Sequence, residues 1–131
     1  MKQNVKSLVV VTGNTSKAEE IASITGWLVE SLDLKVREIQ SLDVEEVARE
    51  KALEAYARVK KPVVVDDTGM TICALGDLPG ALVSWFLDAL GPEGILKLVS
   101  ETSDRSATVS TCVAYADVHG ARTFLGTVRG Q

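Results

Sequence analysis

The chain is poor in the residues that most often carry nucleophilic or soft-metal chemistry, with one histidine, His119, and two cysteines, Cys73 and Cys112, in 131 residues. His119 falls in an Asp-x-His-Gly turn with no partner pattern for a nucleophile or a zinc site, so it reads as a solvated loop residue. The cysteines have neither Cys-x-x-Cys nor metal-ligand spacing and sit in apolar contexts, which predicts buried, reduced thiols. There are only three prolines, no repeat and no low-complexity stretch, which excludes a solenoid and a disordered chain. No apolar run approaches a membrane span and the N-terminus has no h-region, so the expectation is a cytoplasmic protein without membrane contact. Positive charge is scarce as well. With 14 Lys and Arg against 18 Asp and Glu, the net charge of −4 argues against a broad nucleic-acid footprint, and any anion site must be built locally.

What is present is a globular composition, 46% hydrophobic and 24% charged, long enough for a single domain over residues 1–131. Ser7 to Val11 reads as a strand, and Thr12 to Thr15 as a turn capping a helix that begins near Ser16. Ala18, Ile21, Ala22, Thr25 and Leu28 fall at helical spacing, with Gly26 a kink or stop. Leu34 to Ile39 is predicted as the next strand. Asp43, with Glu46 at capping-box spacing, opens a helix that runs to about Lys60, and Val63 to Val65 follow as a strand. Met70 to Leu75 is extended or irregular. A helix carrying Trp85 and Phe86 is broken at Gly91-Pro92 and resumes from Glu93 to Ser100. Ala107 to Tyr115 and Phe124 to Val128 then pair across the turn at Asp117 to Gly120. The predicted fold is α/β: a mixed, largely parallel central sheet flanked by helices, with a C-terminal antiparallel strand pair.

Four places could carry chemistry. Val63-Val64-Val65-Asp66-Asp67-Thr68-Gly69 reads as a buried strand ending in two carboxylates, where ligands of parallel sheets collect. Alternation puts Asp67 on the face of Val63 and Val65 and Asp66 on that of Val64, so their roles differ. The pair suits a hard cation such as Mg²⁺, or merely caps a turn. Thr12-Gly13-Asn14-Thr15-Ser16-Lys17 is a strand-to-helix turn with glycine, hydroxyls and a lysine. That is a setting for phosphate, although the Walker A spacing is absent and a plain helix cap has the same composition. Lys51 lies within the apolar stripe Val44, Val47, Ala48, Ala52, Ala55 and Val59, so its ammonium either snorkels to water or meets an anion. Glu38, sharing parity with Leu34 and Val36, is a third strand-end acid that could complete a metal triad or simply lie exposed.

Thr12-Gly13-Asn14-x-x-Lys17, Lys51-Ala52-x-x-Ala55, Val65-Asp66-Asp67-Thr68-Gly69 and Ala74-Leu75-Gly76-x-x-Pro79-Gly80 with Trp85-Phe86-Leu87 together resemble the inosine triphosphate pyrophosphatase family in order and spacing. The resemblance implies a homodimeric Mg²⁺ enzyme that removes pyrophosphate from the noncanonical purine nucleoside triphosphates ITP, dITP and XTP. It implies that Thr12, Gly13, Asn14, Thr15, Ser16, Lys17, Lys51 and Thr68 bind the substrate. Glu38 and Asp67 would hold the metal, and Asp67, supported by Asp66, would serve catalysis. Family members continue into an aromatic-rich segment and a Ser-His-Arg motif that grip the base, whereas this chain stops at Gly130-Gln131. On that ground a nucleotide-binding remnant without turnover stands as an alternative, beside the related septum-formation-type nucleotide pyrophosphatases.

Overall fold

A computed structural model describes residues 6–131. In chain order the elements are β1 (Ser7–Val11), α1 (Thr15–Thr25), β2 (Leu28–Leu32), α2 (Val44–Val59), β3 (Val63–Ile72), β4 (Pro79–Gly80), α3 (Val83–Leu98), β5 (Ala107–Asp117) and β6 (Gly120–Gly130). The sheet runs β2-β1-β3-β5-β6, with β4 on the free part of β3. β2, β1 and β3 are parallel, while β4, β5 and β6 join by antiparallel pairing. The sheet is therefore mixed, with its parallel portion at one side and the C-terminal antiparallel pair at the other.

The first crossover moves the chain outward from β1 to β2, and the second carries it back past β1 to β3. A right-handed path in both must put α1 and α2 on opposite faces. Packing agrees. Ile21 of α1 meets Leu8, Val10 and Val64, whereas Ala48, Ala52 and Ala55 of α2 meet Val11, Val63 and Val65. The three alanines let the α2 backbone lie close against the sheet, and Val63 and Val65 beneath are essentially inaccessible. Burying each valine contributes roughly 1.5–3 kcal/mol relative to exposure.

One boundary is the stop that Gly26 offered, and the next element differs from the sequence expectation. α1 stops at Thr25 because Gly26 takes the left-handed conformation (φ 70°) and returns its N–H to the Ala22 carbonyl. Leu28, at helical spacing on paper, is instead the first residue of β2. The second strand is thus Leu28–Leu32 and not Leu34 to Ile39. Leu34 and Val36 do pack on the α2-side core, which explains their alternation. Their segment has already left the sheet, however, and is held from outside by Arg58, which donates to the Lys35 carbonyl at 2.6 Å.

α2 begins as its cap predicts, Asp43 accepting from the Glu45 amide at 2.9 Å, but Glu46 takes its hydrogen bond from the Ser41 hydroxyl at 3.0 Å. α3 changes direction at Gly91 (φ 69°, ψ 171°), immediately before Pro92. Its second half packs Ile95 and Val99 on Ile72. Cys112 is buried as expected; Cys73 is exposed, because it opens a 3₁₀ turn beyond the end of β3, outside both layers. Among the described residues no helix is long and apolar enough to cross a membrane.

Candidate active site

The acids Asp66 and Asp67 do not end their strand, as the sequence suggested. β3 runs on to Ile72, paired with β5 along its whole length. The strand that ends here is its neighbour. β1 pairs with β3 only at Val9–Val63 and Val10–Val64 and stops at Val11, and β4 takes up the same edge only at Met70 and Thr71. Between those points the edge of β3 is open, which leaves a notch at Asp66 to Gly69. It lies beyond the carboxyl end of β1, where the two crossovers diverge, and that is the switch point at which doubly wound sheets bind ligands.

Gly69 makes the notch possible. A Cβ there would lie 2.5 Å from Val44 Cγ1 and 2.9 Å from the Gly80 carbonyl, so only glycine lets α2 and β4 close in beside the acids.

The turn after β1 is fixed by its own polar groups. Thr12 donates its N–H to the Leu32 carbonyl at 2.9 Å, tying the ends of β1 and β2 together. The Thr12 hydroxyl accepts from the Asn14 amide at 3.0 Å, and Asn14 Oδ1 accepts from Ser16 at 3.0 Å as the cap of α1. Each side chain has used an acceptor and keeps a donor, the Thr12 O–H and the Asn14 NH₂. With the Thr15 amide, which has no carbonyl to meet within its helix, these donors form an exposed, electropositive corner suited to an anion. Lys17, one turn into α1, forms a salt bridge with the Asp66 carboxylate.

β3 divides the remaining side chains between its two faces as alternation requires. On the α1 face lie Asp66 and Thr68, whose hydroxyl is 2.9 Å from that of Thr111, and together with Lys17 they line a cavity of about 360 Å³. Asp67 is on the α2 face. There Lys51 forms a salt bridge with Glu38 at 2.9 Å and donates to the main-chain oxygen of Asp66 at 3.1 Å. The lysine in the apolar stripe therefore meets an anion, one supplied by the chain itself. The expected triad of Glu38, Asp66 and Asp67 is not assembled, because Asp66 faces the other way. Among the described residues no three Asp, Glu, His or Cys side chains come together as a metal-ligand group.

Asp67 is the most perturbed of these acids. Its Oδ2 is buried without a hydrogen-bond partner among the described residues. Burial pushes its carboxyl up to about 6 against the pull of Lys51, with Glu38 and Asp66 adding like charge and Lys17 opposing. An orphaned carboxylate oxygen of this kind suits a hard divalent cation.

Asp33, and the place of Cys112 opposite Asp67, escaped the sequence reading. The Asp33 carboxylate lies about 3.4 Å from where a Gly13 Cβ would be, over the phosphate-type turn. With the second strand expected at Leu34 to Ile39, nothing drew attention to Asp33, which in the fold directly follows β2. Cys112 stands opposite Asp67 in the β3–β5 ladder. The hairpin turn fixes only the β5–β6 register, and no turn joins β3 to β5, so the sequence held no local signal for this pairing.

Residues 8–131 match the model of the Ham1 family. Inosine triphosphate pyrophosphatase 2 of Trypanosoma cruzi is 45% identical over 108 residues, covering 81% of this chain and 55% of that protein. The dITP/XTP pyrophosphatase of Hyperthermus butylicus is 35% identical over 126 residues, 94% of this chain and 66% of that one. The solved structure of the Staphylococcus aureus Ham1 protein superposes with a TM-score of 0.85 at 26% identity, over 96% of this chain and 71% of that one. The chain spans about half the length, 55%, of the Trypanosoma cruzi relatives.

Proposed function

We propose, from the premise that this chain belongs to the Ham1 family, that it hydrolyses the noncanonical purine nucleoside triphosphates ITP, dITP and XTP to monophosphate and pyrophosphate. The same reading makes it a Mg²⁺-dependent, homodimeric enzyme of the cytoplasmic nucleotide pool. The names of the relatives support the substrate class, inosine triphosphate for one and dITP/XTP for the other.

One observation carries the reading. Two lysines, Lys17 and Lys51, approach the same residue of β3, Asp66, from opposite faces, one at its carboxylate and one at its main-chain oxygen, beside the donor-rich start of α1. Both ammonium groups are held by the chain's own oxygen atoms, and both can be transferred to phosphate oxygens. Thr12, Asn14, Thr15 and Ser16 anchor the triphosphate, with Gly13 allowing close approach and Thr68 contributing a hydroxyl from β3. Lys17 and Lys51 offset the charge that grows on the pyrophosphate as it departs.

Asp67 and Glu38 would hold the divalent ion, the first through the oxygen that now lacks a partner. When bound, Mg²⁺ neutralises phosphate charge and so favours attack at phosphorus. Asp67 also orients the attacking water by accepting its hydrogen bond, and a carboxyl raised to about 6 is matched to proton transfer near neutral pH. Asp66 keeps Lys17 aimed across the notch. The water oxygen bonds to the α-phosphorus, the bond to the bridging oxygen breaks, and pyrophosphate leaves with the electron pair.

The test is product analysis by phosphorus NMR after incubation with ITP and Mg²⁺. IMP and pyrophosphate are expected, and IDP with orthophosphate would overturn the assignment. Asp67→Asn is expected to remove turnover while Ser100→Ala, in a distant loop, leaves it intact.

A further inference from the structure

Thr111 plays no part in the chemistry of the preceding section, yet its hydroxyl is one of two that meet in the cavity beside Lys17. β5 sets it opposite Thr68 on the α1 face, and the two oxygens are 2.9 Å apart. On its other side Thr111 faces Gly126 of β6, where even a Cβ would meet nothing within 4 Å, so that flank is open. The cavity of about 360 Å³ that both threonines line with Lys17 and Asp66 falls within the roughly 300–1,000 Å³ of small-molecule sites. We propose that Thr111 is a positioning residue for the anion: it donates to Thr68 and so leaves the Thr68 O–H to a phosphate oxygen beside Lys17. The inference rests on the triphosphate reading of this site and adds a residue to it.

The protons of the pair lead to this arrangement. Each hydroxyl has one O–H and can also accept, so the pair uses one proton between its members and has a second to donate elsewhere. Which oxygen donates the second depends on what lies near it. Thr68 stands on β3 at the open notch, two residues from the Asp66 carboxylate that holds Lys17, and its side chain is exposed. Thr111 is half-buried and one strand farther from the notch, since β5 lies on the other side of β3 from β1. An anion brought in by Lys17 therefore meets Thr68 first and draws that O–H toward itself, which turns the pair so that Thr111 donates. The chain then runs from Thr111 through Thr68 to phosphate, and each bond polarises the next.

The pair also fixes direction. Thr68 is β-branched, so its χ1 has few choices, and the cross-strand bond selects among them. A valine at 111 keeps the branching but can neither donate nor accept. Thr68 would keep its hydroxyl with nothing behind it to aim or polarise the bond to phosphate.

The experiment measures binding of inorganic tripolyphosphate with Mg²⁺ by calorimetry, with Tm read in parallel. Thr111→Val is expected to bind about three- to ten-fold more weakly than wild type, the scale of one hydrogen bond. Thr111→Ser, which restores the O–H, should bind as wild type does. Thr111→Ala gives the same reading as the valine should the latter disturb the sheet. Because Thr111 acts through Thr68, adding Thr111→Val to Thr68→Val should weaken binding no further. A lowered Tm with unchanged affinity in Thr111→Val and Thr111→Ala would overturn the proposal, as would losses that add in the double variant. If Lys17→Ala weakens binding while the Thr111 variants do not, the triphosphate reading stands and the role of Thr111 falls; if the wild type binds no tripolyphosphate, both fall.

Discussion

Asp67 faces Cys112 directly across the β3–β5 ladder, both side chains on the face covered by α2. The neighbour that alternation gives this carboxylate is a fully buried thiol, a weak hydrogen-bond partner and a poor substitute for water. The acid is consequently held in surroundings that disfavour its charge.

A pH dependence follows. Asp67 titrates near 6 in the folded chain against 3.8 ordinarily, so the folded state binds its proton more tightly than the unfolded state. The resulting stability is fully present below about 3.8 and is lost as pH rises through 6. In the absence of divalent metal, urea melts should show Asp67→Asn gaining on the wild type between pH 4.5 and 7, by on the order of 1 kcal/mol once solvent screening is allowed for. A difference that stays constant across this range would contradict the assignment.

Divalent metal should reverse the penalty. Mg²⁺ at millimolar concentration is expected to raise Tm at pH 7.5 and much less at pH 5, because the ligand must be deprotonated. Thermal scans of Asp67→Asn should show little of this effect. An equal shift in wild type and variant would place the ion elsewhere.

The lysines are separable from the acids. Lys17→Ala and Lys51→Ala should each weaken binding of inorganic triphosphate by at least about ten-fold, the scale of losing one charged hydrogen bond. Calorimetry at millimolar ligand reads this. Unchanged affinity in the double variant would remove the anion site.

Gly69→Ala should destabilise the chain by roughly 1–3 kcal/mol, since the new methyl meets Val44 at 2.5 Å and main chain at 2.9 Å. Urea denaturation measures it, and a neutral result would mean that α2 or β4 yields without cost.

Much of this was legible in the sequence, for identifiable reasons. Parity alone sent Asp66 and Asp67 to opposite faces, because a strand's side-chain period does not depend on its neighbours. Asp43 and Gly26 marked the start of one helix and the end of another through local chemistry. Strand membership did not follow in the same way. Leu34 and Val36 alternate as strand residues do, yet whether an extended segment finds a pairing edge is decided by the sheet and not by the segment. The open edge beside the acids was hidden likewise, since it depends on where β1 ends relative to β3. Glu38 and Lys51, 13 positions apart in sequence, meet only because that segment folds back over α2.

The placing of Asp66 and Asp67 on either side of one strand has a consequence for how such a site can vary. Lys51 donates to the main-chain oxygen at position 66, which any residue would supply, whereas Lys17 answers to the side chain there. A substitution at 66 can thus retune the α1 side while leaving the bond that Lys51 makes in place, and it reaches Asp67 only through the like charge that Asp66 adds. Adjacent codons here act on opposite faces of the site, joined only by the charge that one carboxylate feels from the other.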